Sequence, residues 1–189
     1  MSRRRLAFLP IFAALALAAP LVGCGKEKIT PLAEMEGIYV DVGPLSYQIQ
    51  ISRQLNPRDA EDRNYFLGVD PAQAKLAPNE VWFGVFMRVQ NTSKTPQPAA
   101  KEFEITDTLD KVYKPLPIAT TNPFAYRARD VGPGQLLPST ASAAASGPVG
   151  AGALLLFKLK LTSFANRPLE LRIKSRSGPP QEGRIELDL

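Results

Sequence analysis

Hydrophobic and polar residues alternate along this chain over short stretches, which is the pattern of half-buried β-strands. From Leu45 to Ile51, leucine, tyrosine and isoleucine occupy every second position, with serine and glutamine between them. The same period of two recurs in five further stretches, at residues 81–90, 102–106, 155–161, 169–174 and 185–189, and residues 112–113 make a short return strand after the turn at 109–111. The pattern therefore predicts seven strands and no amphipathic helix longer than a turn or two.

The stretch 81–90 has large apolar residues on both of its faces. One face carries valine, phenylalanine and methionine, and the other carries Trp82 and Phe86. A strand that is apolar on both faces is typical of the covered centre of a sheet. We expect Trp82 and Phe86 to pack beneath a long loop; the alternative is an exposed aromatic platform for a ligand.

Short alternating strands joined by proline-rich connections predict an all-β fold, an immunoglobulin-like antiparallel β-sandwich of about seven strands. We expect one C-terminal hairpin to pair 154–161 with 168–174, and a second to pair 168–174 with 184–189. Two long connecting loops stand out, at residues 53–79 and 114–152.

The first 23 residues are typical of a secretory signal peptide, because three arginines precede a short apolar stretch from Leu6 to Pro20. The stretch is interrupted by Pro10 and is shorter than the ~20 residues of a spanning helix, so we expect residues 1–23 to be removed. Ser2 to Leu6 also resembles the start of a twin-arginine export signal. The twin-arginine and general secretory routes therefore both stay open.

The apolar stretch ends in Leu21, Val22, Gly23 and Cys24, which resembles the lipobox of bacterial lipoproteins. The resemblance implies a diacylglyceryl thioether on Cys24, often with a third, amide-linked acyl chain. Cys24 is the sole cysteine, so an internal disulfide is excluded. The alternative is an ordinary signal peptide with a chance cysteine.

The residue after the lipidated cysteine is Gly25 and not aspartate, so the inner-membrane retention signal of many diderm bacteria is missing. The lipobox resemblance then implies an extracytoplasmic, membrane-anchored protein, in the outer membrane of a diderm cell or on the cytoplasmic membrane of a monoderm one. We assign residues 24–36 to the lipidated cysteine and a short polar tether, and residues 37–189 to the sandwich.

Composition excludes several kinds of chemistry. The chain has no histidine, which removes Ser-His-Asp catalysis and histidine-ligated zinc or copper sites. Removal of three signal-peptide arginines lowers the net charge from +5 to about +2, so no nucleic-acid partner is expected. We predict no catalytic residue, no metal site and no cofactor.

Carboxylate side chains could still form a metal-binding or catalytic site. Asp59, Glu61 and Asp62 could bind calcium or serve a glycosidase, but Arg58 and Arg63 flank them. A solvated, self-paired loop is therefore favoured. Two further aspartates, at 107 and 110, flank a predicted hairpin turn, where aspartate commonly caps backbone N–H groups.

The segment 122–129 combines aromatic and basic residues in a proline-bounded loop. Phe124, Tyr126, Arg127 and Arg129 belong to the residue types that dominate binding interfaces. We regard them as a candidate interaction loop. The alternative is a structural strap, with Phe124 turned inward and the arginines solvated.

The strand Val81 to Thr92, ending in an Asn-polar turn, resembles the corresponding strand of telokin-like, immunoglobulin-like bacterial lipoprotein domains. Phe103 to Asp107 and Gly152 to Phe157 match later strands of that family, and the resemblance covers residues 45–189. The long connection at 115–150 departs from the family pattern. The family is mostly of unknown function, so the resemblance implies fold and location only.

The preferred function is a non-enzymatic, membrane-tethered interaction module that binds an envelope protein or polymer through a loop surface. One alternative is a passive structural envelope lipoprotein with no specific ligand. The other is a carboxylate-dependent enzyme, for which no acid and base pair can be placed in the sequence.

Overall fold

The computed structural model describes residues 31–147 and 152–188. The signal peptide, the lipobox residues Leu21, Val22 and Gly23, and Cys24 lie outside the described residues. The part described holds twelve strands, β1 to β12 in chain order: Leu32–Ala33, Tyr39–Val42, Leu45–Leu55, Glu80–Asn91, Gln97–Pro98, Glu102–Thr106, Val112–Tyr113, Asp130–Val131, Leu136–Leu137, Ala153–Lys160, Leu169–Lys174 and Glu182–Leu187. Three short 3₁₀ helices accompany them: Arg63–Phe66, Ala143–Ala145 and Leu161–Ala165.

Two sheets form the body of the molecule. The first has the order β1-β12-β11-β6-β7, and the second has the order β10-β4-β3-β2, with β9 beside the end of β4. Strands β5 and β8 form a small separate pair. All of these pairs are antiparallel except β1 with β12, which is parallel. The predicted all-β antiparallel sandwich is confirmed, and all seven predicted strands are present.

The main core lies between the two sheets, where the inward positions of each strand meet. Phe83, Val85 and Met87 of β4 face Ile105 of β6 and Leu171 of β11, and all five are fully buried. A fully buried side chain of this size contributes about 1.5–3 kcal/mol relative to an exposed one. The alternation along each strand therefore decides which face of each sheet turns inward.

A second, smaller core covers the outer face of β4. Trp82 and Phe86 pack there with Tyr65 of the first long loop and Leu154 and Leu156 of β10. The ring centroids of Tyr65 and Phe86 are 5.0 Å apart in an edge-to-face arrangement. Packing beneath a long loop is thus confirmed for this face of β4, and the exposed aromatic platform is wrong.

One of the two predicted hairpins is wrong. Strand β10 pairs with β4 in the second sheet, with Leu155 opposite Val85, whereas β11 pairs with β6 and β12 in the first sheet. The 3₁₀ helix Leu161–Ala165 lies between β10 and β11, where the chain passes from one sheet to the other. The hairpin of β11 with β12 is confirmed.

The sandwich begins earlier than residue 37, because residues 32–36, assigned from the sequence to the tether, take part in it. Strand β1 pairs with β12. The Glu36 carboxylate accepts hydrogen bonds from the backbone N–H of Ser52 (2.9 Å) and of Asp188 (3.2 Å). This segment therefore connects the start of the described chain to both sheets.

The charged loop at 58–63 is only partly a solvated one. Asp59 and Glu61 are exposed, but Asp62 is buried and forms an ion pair with Arg53 of β3, not with the flanking arginines. The backbone N–H of Asn56 also donates to Asp62, over 2.7 Å. Asp62 thus closes the loop back onto the sheet, which corrects the self-paired interpretation for this residue.

The turn between β6 and β7 has the predicted chemistry. The Asp107 carboxylate accepts hydrogen bonds from the backbone N–H groups of Leu109 and Lys111, each 3.0 Å long. Asp110 adopts a φ of 58°, in the left-handed region that aspartate tolerates. Both aspartates therefore serve the turn.

Candidate functional site

A groove with a volume of about 780 Å³ opens between two arms of the long connection that follows β7. The first arm carries Arg127 and Arg129, and the second runs from Gly134 to Ala144. We call it the loop groove. Its polar lining is Arg127, Arg129, Gln135, Ser139, Thr140 and Ser142, and its apolar lining includes Leu136, Leu137 and Ala153.

The first arm is attached firmly to the body of the molecule. The buried side chain of Asn122 donates to the carbonyl oxygens of Tyr65 (3.0 Å) and Leu67 (2.9 Å) and accepts from the N–H of Phe124 (2.8 Å). Beyond it, residues 124–126 run along β10 and exchange two backbone hydrogen bonds of 2.8 Å with Leu154. The first arm is thus held like a short additional strand.

The second arm is fixed through Asn91 at the end of β4. The Asn91 side chain is buried and donates to the carbonyl oxygen of Val131 over 2.7 Å. Its backbone N–H donates to Gln135 (3.1 Å), and its carbonyl accepts from Gly134 (2.9 Å). Gly134 has a φ of 68°, which favours glycine at this turn. The groove therefore has two anchored walls.

The structure divides the candidate interaction loop into an inward half and an outward half. Phe124 is partly buried and packs edge-to-face on Tyr65 at 5.2 Å. Tyr126 is only 9 % exposed, lies 5.1 Å from the ring of Phe103, and donates its hydroxyl to the Ala100 carbonyl over 2.8 Å. Both aromatic side chains therefore act as a strap and not as a contact surface.

Tyr126 is part of a buried polar arrangement behind the groove wall. The N–H of Ala100 donates to the hydroxyl oxygen of Tyr47 over 2.8 Å, while the carbonyl of Ala100 accepts from Tyr126. Burial raises the pKa of Tyr47 to about 12, against smaller opposing effects of the Ala100 hydrogen bond and of Arg176. Burial also raises the pKa of Tyr126 well above its usual value. Both hydroxyls are therefore neutral hydrogen-bonding groups at physiological pH.

The two arginines face the groove. The guanidinium of Arg127 donates to the carbonyl oxygens of Ala119 and Tyr126, which fixes its position. Arg129 is exposed, and neither arginine forms an ion pair with a described residue. No aspartate or glutamate is among the described residues that line the groove. The groove therefore presents two positive charges that its own walls do not neutralise.

A metal-binding group and a membrane-spanning helix are both absent from the described part of the chain. Within residues 31–147 and 152–188, no three His, Cys, Asp or Glu side chains form a group that could hold a metal ion. Across the same residues, no helix has the length and hydropathy needed to cross a membrane.

The sequence indicated Arg127 and Arg129 as candidate contact residues, but it did not indicate the second arm, from Gly134 to Ala144, as the other wall of the groove. Gln135, Ser139 and Thr140 lie in a stretch of small and polar residues with no periodicity. The Pro133-Gly134 pair is a turn signal, and it could have indicated that the chain reverses there. That the reversal brings the second arm alongside Arg129 depends on Asn91, forty residues away from Val131.

No protein-family model and no curated protein matches this chain. Among solved structures, it is similar to ycdA, a candidate lipoprotein of Bacillus subtilis, with a TM-score of 0.48, 11% identity and 79% of this chain covered. This chain spans 38% of the length of ycdA. It is also similar to yjhA of Bacillus subtilis (TM-score 0.47, 6% identity, 82% of this chain and 99% of that one). A third similar structure is an uncharacterized β-sandwich protein of Clostridium difficile 630 (TM-score 0.45, 11% identity, 86% and 97%).

Proposed function

We propose that this chain is an extracytoplasmic lipoprotein, held at a membrane by acyl chains on Cys24, whose sandwich is a non-enzymatic interaction module. The anchoring half of the proposal rests on the lipobox-like residues Leu21, Val22, Gly23 and Cys24. The telokin-like resemblance stated above is consistent with it. Two or three acyl chains hold a protein stably at a membrane, whereas one binds reversibly.

The observation that supports the interaction half is the charge of the loop groove. Arg127 and Arg129 face a cleft with no acidic residue in its described lining, and guanidinium groups bind carboxylates and phosphates through paired hydrogen bonds. Arg127 is already held by two backbone carbonyls, so it loses little freedom when it binds. The partner that fits is an anionic protein segment or polymer of the cell envelope.

The anchor is tested with Cys24→Ala in a bacterial host that processes lipoproteins. Wild-type protein should incorporate labelled palmitate and partition into the detergent phase, and Cys24→Ala should do neither, because no other thiol is available. Ser2→Ala serves as a control change in the same precursor. Labelling that survives in Cys24→Ala would contradict the anchor.

The groove is tested with Arg129→Glu in the acylated protein, held in a neutral detergent. Poly-L-glutamate and inorganic polyphosphate serve as carboxylate and phosphate probes. Wild-type binding to at least one probe should weaken with added salt, and Arg129→Glu should weaken it by about tenfold or more. Arg58→Glu reverses an exposed arginine outside the groove and should bind as wild type does. Equal binding by all three proteins would contradict the groove assignment.

A further inference from the structure

Exposed hydrophobic side chains are concentrated at the start of the described chain. Nine large hydrophobic side chains are exposed among the described residues, and four of them lie within eight consecutive positions. These four are Leu32, Met35, Ile38 and Tyr39, each between 44% and 52% exposed. Singly exposed apolar residues are ordinary, whereas four within one short segment are a candidate contact surface.

The segment that carries these four side chains borders one edge of the sandwich. The chain runs from β1, at the edge of the first sheet, to β2, at the edge of the second. Ala33 and Val40 point into the core between the sheets, so Leu32 lies on the outer face of the first sheet and Tyr39 on the outer face of the second, with Met35 and Ile38 in the connection between them. Between them the N–H of Gly37 donates to Ile49 over 2.8 Å and holds the connection on β3. We call this the proximal edge.

The proximal edge is also the part of the sandwich nearest to Cys24 along the chain. Seven residues separate Cys24 from Leu32. A stretch of this length spans at most about 28 Å. Acyl chains on Cys24 would therefore keep the proximal edge within reach of the lipid surface.

We propose that the proximal edge rests on the bilayer, with its four apolar side chains at the boundary between headgroups and acyl chains. The inference rests on the anchoring proposed above and adds the orientation of the anchored domain. Tyrosine suits this depth because its ring is apolar and its hydroxyl remains hydrated. Glu34 is exposed among the four, and its negative charge would be repelled by anionic lipid. The contact therefore depends on the apolar side chains and requires no anionic lipid.

This orientation places the loop groove away from the lipid. Strand β2 is at one edge of the second sheet and β10 is at the other, three strand spacings or about 14 Å away. The groove is bordered by Ala153 of β10 and by the arm beside it. A domain resting on its β2 edge thus presents Arg127 and Arg129 to the envelope.

Hydrogen–deuterium exchange of the full chain on phosphatidylcholine vesicles tests the proposal. One sample carries the natively processed protein. In another, the thiol of unacylated Cys24 is coupled to a maleimide phospholipid, so that the chain is anchored whether or not the cell acylates it. The segment 34–39 should exchange at least about threefold more slowly on vesicles than in solution, and the segment 107–113 should not change.

Paired variants establish which side chains are responsible. Met35→Ser with Ile38→Ser should abolish the slowing, and Leu109→Ser with Leu161→Ser, which alters exposed apolar side chains elsewhere, should retain it. Exchange at 34–39 that is unchanged on vesicles overturns the proposal, and so does a footprint that requires anionic lipid. If the native protein fails to float with vesicles while the coupled chain shows the slower exchange at 34–39, the anchor is contradicted and the membrane contact of the proximal edge is supported.

Discussion

Tyr47→Phe tests whether the two buried tyrosines brace the sandwich through Ala100. The change removes the hydroxyl that accepts a 2.8 Å hydrogen bond from the Ala100 N–H and leaves the ring in place. Ala100 is fully buried, so its N–H would lose its partner without gaining water. A buried donor left unpaired costs about 1–3 kcal/mol, which is the loss in unfolding free energy that we expect at pH 8.

The same residue makes stability depend on pH in the alkaline range. Because burial raises the pKa of Tyr47 from 10 to about 12, the unfolded chain releases the proton at a lower pH than the folded protein does. The resulting stabilisation is complete below pH 10 and is lost as the pH rises to 12. Two pKa units correspond to about 2.7 kcal/mol, of which about 1.4 kcal/mol is gone at pH 11.

Urea unfolding at pH 9 and pH 11, followed by circular dichroism, measures both effects. Between these two pH values wild type should lose about 1.4 kcal/mol more than Tyr47→Phe does, since the two proteins differ in this one hydroxyl. Tyr39→Phe makes the same chemical change at an exposed position and should follow wild type. Equal losses in wild type and Tyr47→Phe would refute the proposed role of the buried hydroxyl.

Three further changes address the turn and the strap. Asp107→Ala should lower the unfolding free energy by about 2–3 kcal/mol, because it removes the acceptor for the N–H groups of Leu109 and Lys111 and for the Ser163 hydroxyl. Burial tends to raise the pKa of Asp107, but these hydrogen bonds lower it on balance, so the stabilisation should fade as the pH falls below 3.8. If the unfolding free energy depends on acidic pH in the same way in the variant as in wild type, this role of Asp107 is contradicted. Tyr126→Ala should lower the unfolding free energy by about 3–5 kcal/mol, measured by urea unfolding, whereas Arg129→Ala should stay within about 0.5 kcal/mol of wild type. Equal effects of the two changes would show that Tyr126 does not hold the loop on the sandwich.

Periodicity predicted the strands that are long enough to display it. The eleven residues of β3 and the twelve of β4 show several alternations each, so the local sequence predicts which of their side chains are buried. The two-residue strands β1, β8 and β9 show none, because their pairing is imposed by neighbours distant in the chain. The partner of β10 was misjudged for the same reason, since a spacing suited to a hairpin does not reveal a crossing between sheets.

The candidate site was predictable in its residue types but not in their directions. Tyr126 and Arg127 are adjacent in the chain, yet one enters the core and the other lines a groove. The Tyr126 hydroxyl is held inside by the carbonyl oxygen of Ala100, to which it donates a hydrogen bond across twenty-six residues. An aromatic and basic loop can therefore be recognised from sequence, while its inward half depends on a long-range hydrogen bond.

The long connection also changes how copies of this protein would meet. Its Leu116 N–H donates to Leu156 over 2.7 Å, and residues 124–126 occupy the hydrogen-bonding groups of Leu154, so the outer side of β10 is covered at these two residues. Uncovered strands at the edge of a sheet recruit strands from other molecules. Shortening the connection would therefore favour self-association even where the sandwich itself stays folded.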